Sequence, residues 1–324
     1  MDSVSFFEKI LAHLKYWKNF IQFILSIIFS FKNSYFVVLC MMQNKYPISG
    51  ELDGFKKINL KSYNHIHFII NSKKISEIKY NFDKDLVSVP MFQINSPTLK
   101  NVKFFGGISN GDIINGICGG DYDDIPVYEK TVIDIGSNIG DSSIFFSLRG
   151  AKQVIGFEPF PKNYNLSIQN VNENNLSQKI LINLAGCSSK NTTITIDPYF
   201  NSTAGTQLTH FSKGVKVPIF TLDEIIKKFQ VPKNSILKID CEGCEYDIVY
   251  ESSPETLKHF SYIKIEYHYG YKNLEKKLRN SGFQVKISSP IAMNVFNTIF
   301  KKSRDQSQNL NKIGYVGFIT AKKI

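Results

Sequence analysis

The chain has 324 residues, 43% of them apolar, with 26 Phe and 16 Tyr. That is core material for one large α/β domain with an N-terminal extension, or for two modest domains, and it excludes wholesale disorder. The net charge of +11 points to acidic surfaces, but the lysines lie in scattered pairs such as Lys73-Lys74 and Lys227-Lys228, so charge alone names no partner.

Five cysteines without framework spacing exclude a disulfide scaffold and predict a reducing, cytoplasmic setting; no cleavable signal peptide is evident. Near the N-terminus Phe6, Phe7, Ile10, Leu11 and Leu14 recur at helical spacing, with Lys9, Lys15 and Lys18 between them. The apolar runs Phe20–Phe31 and Tyr35–Met42 are broken at Lys32-Asn33, each short of the roughly 20 residues of a spanning helix. Residues 1–43 are therefore predicted to be helices packed on the main domain, with peripheral membrane contact as the alternative. Residues 44–128 change to short alternating or β-branched pieces, such as His65–Ile70, punctuated by glycines, and read as an irregular β-rich lead-in.

From Thr131 strands and helices alternate, and residues 129–324 are predicted to be one domain. Strands are predicted over Thr131–Ile135, Gln153–Phe157, Ile180–Leu184, Ser235–Ile239, Tyr262–Glu266, Phe283–Ile287 and Tyr315–Thr320. Helices are predicted over Asp141–Leu148, Lys162–Asn174, Leu222–Phe229, from Glu245, and over Lys272–Asn280, the last closed by Gly282. Thr193–Ile196 and Val215–Ile219 read as a hairpin-like excursion. The alternation implies an α/β fold with right-handed crossovers and a largely parallel sheet.

Three strand ends carry chemistry. The first, VIDIGSNIGD at Val132–Asp141, places Asp134 before a turn of Gly136, Ser137, Asn138 and Gly140. A dinucleotide site would want its middle glycine where Asn138 stands, and the carboxylate of Asp134 at the strand end repels a diphosphate but suits a cationic amino-acid ligand. Glycine leaves room for a ligand to approach the backbone, and Asn tolerates left-handed geometry. Glu158 ends the second strand, placed to accept ribose hydroxyls. Asp240 ends the fourth strand in LKIDCEGCEYD, followed by Glu242 and Glu245, and the fifth ends in Glu266-Tyr267-His268. Asp240, Glu266 and His268 would then face one pocket, and are the candidates for the acid–base group; His210 is a further histidine placed for such work.

Together VIDIGSNIGDSSIFFSLRGAKQVIGFEPFPKNY, TLDEI, LKIDCEGCEYDIV and IKIEYHYGYKNL resemble the FkbM family of S-adenosylmethionine-dependent methyltransferases, with archaeal-type members closest, over roughly residues 100 to 320. The resemblance implies a class I methyltransferase, Rossmann-like fold: a seven-stranded, mostly parallel sheet with an antiparallel last strand. It implies S-adenosyl-L-methionine as cofactor and methyl transfer to a hydroxyl of a sugar, glycolipid or small metabolite. Carried over, Asp134, Gly136, Ser137, Asn138 and Gly140 fall in the first cofactor motif, Glu158 is the ribose acid, and Asp240 with Glu242 is the fourth-strand motif.

Other readings stay open. Charge alone would suit an RNA or protein methyltransferase, and a non-catalytic Rossmann-like binding module is a third class. Asp197-Pro198-Tyr199-Phe200 lacks the second proline of an amino-methylating signature and follows the third strand, not the fourth. Cys241 and Cys244 form a single CxxC with no second ligand pair, so they are expected to be small buried residues flanking a glycine turn, and no metal is expected.

Overall fold

The computed structural model describes residues 3–52, 56–94, 99–110, 112–200, 202, 206–293, 295 and 313–324. The chain opens with α1 (Phe6–Ser30), begun by a capping box in which Ser5 accepts from the Glu8 amide and Glu8 accepts from the Ser5 amide. Phe31 is extended, and α2 (Ser34–Met42) follows. The N-terminal helices expected from the spacing are thus present, split at Phe31–Asn33.

The lead-in is more ordered than its sequence suggests. β1 (Ile48–Leu52) and β2 (Lys56–Leu60) form an antiparallel pair. The stretch around His65–Ile70, expected to be extended, is instead helix α3 (Tyr63–Ser72). Short apolar runs do not distinguish strand from helix. Here two cores decide: Ile66, Ile69 and Ile70 pack with Ile27, Phe31 and Val37, while Phe68 joins the core beneath the main sheet. Then come β3 (Lys79–Asn81), β4 (Leu86–Phe92) and β5 (Leu99–Phe105), an antiparallel sheet, and a π-helical turn at Ile113–Ile117. Val87, Val102 and Phe104 of this sheet share a core with Val132, Ile144, Phe146 and Val154, so the lead-in roofs one face of the main sheet.

The main part runs β6 (Thr131–Ile135), α4 (Asp141–Leu148), β7 (Gln153–Glu158), α5 (Pro161–Glu173) and β8 (Ile180–Leu184). A side sheet is built from β9 (Gly186–Cys187), β10 (Thr192–Ile196) and β11 (Val215–Phe220), with β10 and β11 antiparallel as the hairpin reading expects. The remainder is α6 (Leu222–Lys228), β12 (Ser235–Ile239), α7 (Cys244–Glu251), α8 (Pro254–Leu257), β13 (Phe260–Tyr267), α9 (Lys272–Asn280), β14 (Phe283–Ile287), β15 (Ile291–Met293) and β16 (Gly314–Lys323). Pro161 opens α5, Thr221 caps α6 through the Glu224 amide, and Gly282, at φ +83°, ends α9.

The main sheet runs β14-β16-β13-β12-β6-β7-β8, with β15 paired to the edge of β16. β8, β7, β6, β12 and β13 are mutually parallel, and β16 is antiparallel to both its neighbours. Numbered along the main sheet, the order is 3-2-1-4-5-7-6 with the seventh strand reversed, the class I methyltransferase arrangement. The reversal of strand order lies between β6 and β12, where ligands of open α/β sheets sit. All five residues of β6 and of β12 are buried, as a sheet covered on both faces requires.

Candidate active site

Alternation puts Asp134 of β6, Lys238 and Asp240 of β12, and Lys264 and Glu266 of β13 on one face of the sheet, while Ile133, Leu237, Ile239, Ile263 and Ile265 face the other core. Asp134, Lys238 and Lys264 are direct neighbours in register, a row of charges across three strands. Lys264 is neutralised by Asp124 at 2.7 Å.

Asp134 is fully buried, and its carboxylate is engaged inside the protein. One oxygen accepts from Ser142 and Ser143 of α4 at 2.7 and 2.6 Å, and the other lies 3.2 Å from the Lys238 ammonium. Lys238 also donates to the Gly136 carbonyl at 2.9 Å and lies 3.6 Å from Asp240. Burial drives its ammonium down, but Asp134 and Asp240 outweigh this and hold it above the ordinary lysine range. The cation that the sequence leads one to expect from a ligand at Asp134 is supplied here by the chain's own lysine. Nothing in the motif spacing singles Lys238 out; an isolated lysine inside an otherwise apolar strand is the signal that could have.

The turn itself is set by backbone crowding. Gly136 has φ +77°, and a Cβ there would lie 1.8 Å from the Asp240 carbonyl oxygen, so glycine is demanded by the end of β12 as well as by any ligand. Asn138 takes φ +47°, the left-handed geometry expected of it. Its side chain donates to the Asn110 carbonyl at 2.6 Å and accepts from Asn163 at 2.8 Å, and Asn110 donates to Asn163 at 2.7 Å, which locks the turn to the lead-in and to α5. Ser137 is fully buried, and its hydroxyl has no hydrogen-bond partner among the described residues.

Glu158 ends β7 facing this turn. One oxygen accepts from the Asn138 amide at 3.0 Å and the other from the Phe160 amide at 2.9 Å. Burial pushes the carboxyl up to about 8. Each oxygen keeps a second lone pair, so the carboxylate can still accept two hydroxyls. These acceptor oxygens beside the glycine turn fit the ribose hydroxyls of an adenosyl ligand.

The ends of β12 and β13 converge. His268 Nδ1 lies 2.9 Å from Glu245 Oε1, and Nε2 lies 3.0 Å from Glu242 Oε2. Burial lowers the imidazole, yet Glu245 and Glu242 outweigh it and hold His268 well above the ordinary histidine range. Glu245 is fully buried at the start of α7 and its other oxygen accepts from the Gly243 amide at 2.7 Å. Burial, aided by nearby Asp240, raises Glu266 well above the ordinary carboxylate range, and Asp240 is raised by its burial too. Asp112, raised chiefly by burial to about 7, adds a carboxyl from the lead-in, and its amide donates to Asp141 at 2.8 Å.

The structure thus brings Asp240, Glu266 and His268 together, and adds Glu242, Glu245 and Asp112. Glu242 and Glu245 stand in the quoted motif; Asp112 comes from a segment with no recognisable pattern. Ligand atoms of Asp240, Glu242 and His268 lie within 4.8 Å of one another, an arrangement that could hold a metal ion, where the sequence predicts none. His210 lies away from this group, its ring nitrogen 3.3 Å from the Thr195 amide. Cys241 and Cys244 are not the separate buried residues expected: they are joined by a disulfide across the turn that carries Glu242, and both are partly exposed.

Hexuronic acid methyltransferase AglP of Haloferax volcanii is 24% identical over 157 residues, 48% of this chain and 64% of the relative, so the match spans under two thirds of that protein. Precorrin-6y C5,15-methyltransferase from Geobacter metallireducens aligns at 13% identity over 62% of this chain and 83% of its own, with a TM-score of 0.34. M. capricolum TrmK, in complex with S-adenosyl-homocysteine, aligns at 14% over 60% and 62%, with a TM-score of 0.35. The model of the methyltransferase FkbM domain matches from Asp134 to Val285, taking in the glycine turn, Glu158, Asp240 and His268. Residues 134–285 are thus similar to the methyltransferase FkbM domain.

Proposed function

We propose that the chain is an S-adenosylmethionine-dependent O-methyltransferase acting on a hydroxyl of a sugar or a sugar-bearing metabolite. The observation that carries this reading is the placement of His268 between Glu242 and Glu245, next to Asp240, at the strand ends beside the glycine turn and Glu158. When bound, S-adenosylmethionine supplies an electrophilic methyl on a sulfonium. Glu158 would accept its ribose hydroxyls, Ser137 and the Gly136–Gly140 turn would line its adenosyl part, and Asp240 would face its cationic end.

The residues' own work is proton handling. Glu242 and Glu245 favour the charged imidazole of His268, and the form that acts as a base is the one that has released this proton. Nε2 can then take the proton leaving the acceptor hydroxyl, a contribution of about 10²–10⁴ in rate. Glu245, fully buried, is a positioning residue that accepts from Nδ1–H, while the acceptor hydroxyl would take the place of the partly exposed Glu242 at Nε2. Holding the hydroxyl in line contributes more, about 7–11 kcal/mol.

Asp240, Glu242, Glu266 and Asp112 gather carboxyl oxygens that can accept from the hydroxyls of a sugar, which supports a sugar acceptor. The hexuronic acid named for the Haloferax volcanii relative makes hexoses and hexuronic acids the first acceptors to try. A second reading is favoured by the convergence of Asp240, Glu242 and His268: a divalent cation there would bind the acceptor oxygens in place of the Glu242–His268 pair.

The test is transfer of labelled methyl from S-adenosylmethionine to a panel of hexoses, hexuronic acids and their glycosides. Alkali-stable label on the sugar is expected, since an ether survives base and an ester does not. Label appearing only in RNA or protein would overturn the reading.

A further inference from the structure

The apolar surface of this chain is concentrated at its N-terminus. Phe7, Leu11, Leu14, Ile21, Leu25 and Phe29 of α1 are all exposed, Phe29 at 79%. At about 100° per residue they fall within a sector of roughly 80°, a stripe about 33 Å long interrupted at Lys18. This is not the face by which α1 packs on the protein: Ala12, Ile27 and Ser30 are the buried positions, with Ala12 seated against Ala292 and Val295. On α2, Tyr35, Phe36 and Leu39 extend the same kind of surface. Monomeric soluble proteins rarely present a contiguous apolar patch of this size.

Charge indicates the occupant. From residue 3 to 45 the chain carries Lys9, Lys15, Lys18, Lys32 and Lys45, all exposed, against a single acid, Glu8. Glu8 is turned inward, bonded to the Ser5 amide and to the Tyr271 hydroxyl. Lys18 lies in the middle of the apolar stripe and Lys15 at its margin, where long ammonium side chains reach headgroup level. No described helix is long and apolar enough to cross a membrane.

We propose that the outward faces of α1 and α2 lie flat on an anionic lipid surface. The consequence for the active site is direct, because the start of α1 is built onto the end of β13. The Ser3 carbonyl accepts from the Tyr271 and Lys272 amides at 3.3 and 3.4 Å, and Gly270 has no side chain where Ser3 packs. His268 is two residues away. A membrane-seated α1 therefore holds the mouth of the site beside the lipid headgroups, and, on the methyl-transfer reading above, the acceptor sugar is one presented from that surface.

The experiment is flotation of the full chain with vesicles of phosphatidylcholine alone or with about a third phosphatidylglycerol. Three proteins are compared: wild type, the triple variant Phe7→Glu, Leu14→Glu, Leu25→Glu, and the double variant Lys15→Glu, Lys18→Glu. Binding to anionic vesicles is expected for the wild type, weakened at least about tenfold in each variant and by high salt. Circular dichroism and S-adenosylhomocysteine affinity should stay unchanged in both, which separates loss of docking from loss of fold. Absence of flotation with anionic vesicles, or flotation that the variants do not weaken, overturns the proposal. So does a dimer in sedimentation velocity that the triple variant dissociates, because a second copy would then cover the stripe. Failure here with normal S-adenosylhomocysteine binding would leave the methyltransferase reading standing.

Discussion

Glu245 Oε1 and His268 Nδ1 stand 2.9 Å apart, joining the first turn of α7 to the end of β13, and Glu245 is fully buried. The contact does two things to the imidazole: it fixes which nitrogen carries the proton, and it raises the affinity for a second one.

Substituting Glu245 separates these effects. Glu245→Gln removes a negative charge, so the His268 pKa must fall, and the rising limb of the pH–kcat profile moves to lower pH. A glutamine amide donating to Nδ1 would also favour the wrong tautomer, so kcat should drop by about 10²–10⁴ with KM little changed. An unshifted pH profile would assign Glu245 a purely structural role.

Glu158 predicts a pH-dependent affinity. Its carboxyl is held up to about 8 by burial, and ribose hydroxyls bind best to the ionised form. Calorimetric affinity for S-adenosylhomocysteine should therefore rise with pH up to about 8 and level off above it. In Glu158→Gln, which cannot ionise, that part of the rise should disappear. A wild-type affinity independent of pH would show that the ligand does not touch this carboxylate.

Lys238 is the keystone of the charge row. Lys238→Met leaves Asp134 buried with only Ser142 and Ser143, and removes the bond to the Gly136 carbonyl. Breaking a buried pair from one side costs about 3–5 kcal/mol, measurable as a lowered midpoint in urea at unchanged slope. The double variant Lys238→Met, Asp134→Leu should recover part of the loss.

Thiol counting addresses the CxxC. Denatured without reductant, the chain should show the three thiols of Cys40, Cys118 and Cys187, and after reduction all five. Five thiols without reductant would show Cys241 and Cys244 to be unpaired.

Chelation addresses the Asp240, Glu242 and His268 group. If His268 acts as the base with Glu242 at its Nε2, activity should survive exhaustive dialysis against EDTA. Activity lost on dialysis and restored by Mg²⁺ or Mn²⁺ would instead establish the cation reading.

Much of this is legible in the sequence. The strands of the main sheet end where their strand-terminal acids and glycines stop the β-branched runs, so Asp134, Glu158 and Asp240 can be placed at strand ends without coordinates. The features that cannot be read there are set by long-range packing. α3 is helical because His65–Ile70 is wedged between two cores, which no local pattern reveals. The crowding of Gly136 by the Asp240 carbonyl depends on the pairing of β6 with β12. Asp112 reaches the site only because the lead-in folds over the sheet. Lys238 is one lysine among many in the sequence, set apart only by a strand buried on both faces.

The central claim is that the turn at Gly136–Gly140 and the carboxylate of Glu158 seat an adenosyl ligand. Titration calorimetry with S-adenosylhomocysteine on wild type and Glu158→Ala tests it most directly. Binding to the wild type, weakened about 10- to 150-fold in the variant by loss of hydrogen bonds to a charged group, is the predicted result. No heat from the wild type, or equal affinity in the two proteins, would contradict it.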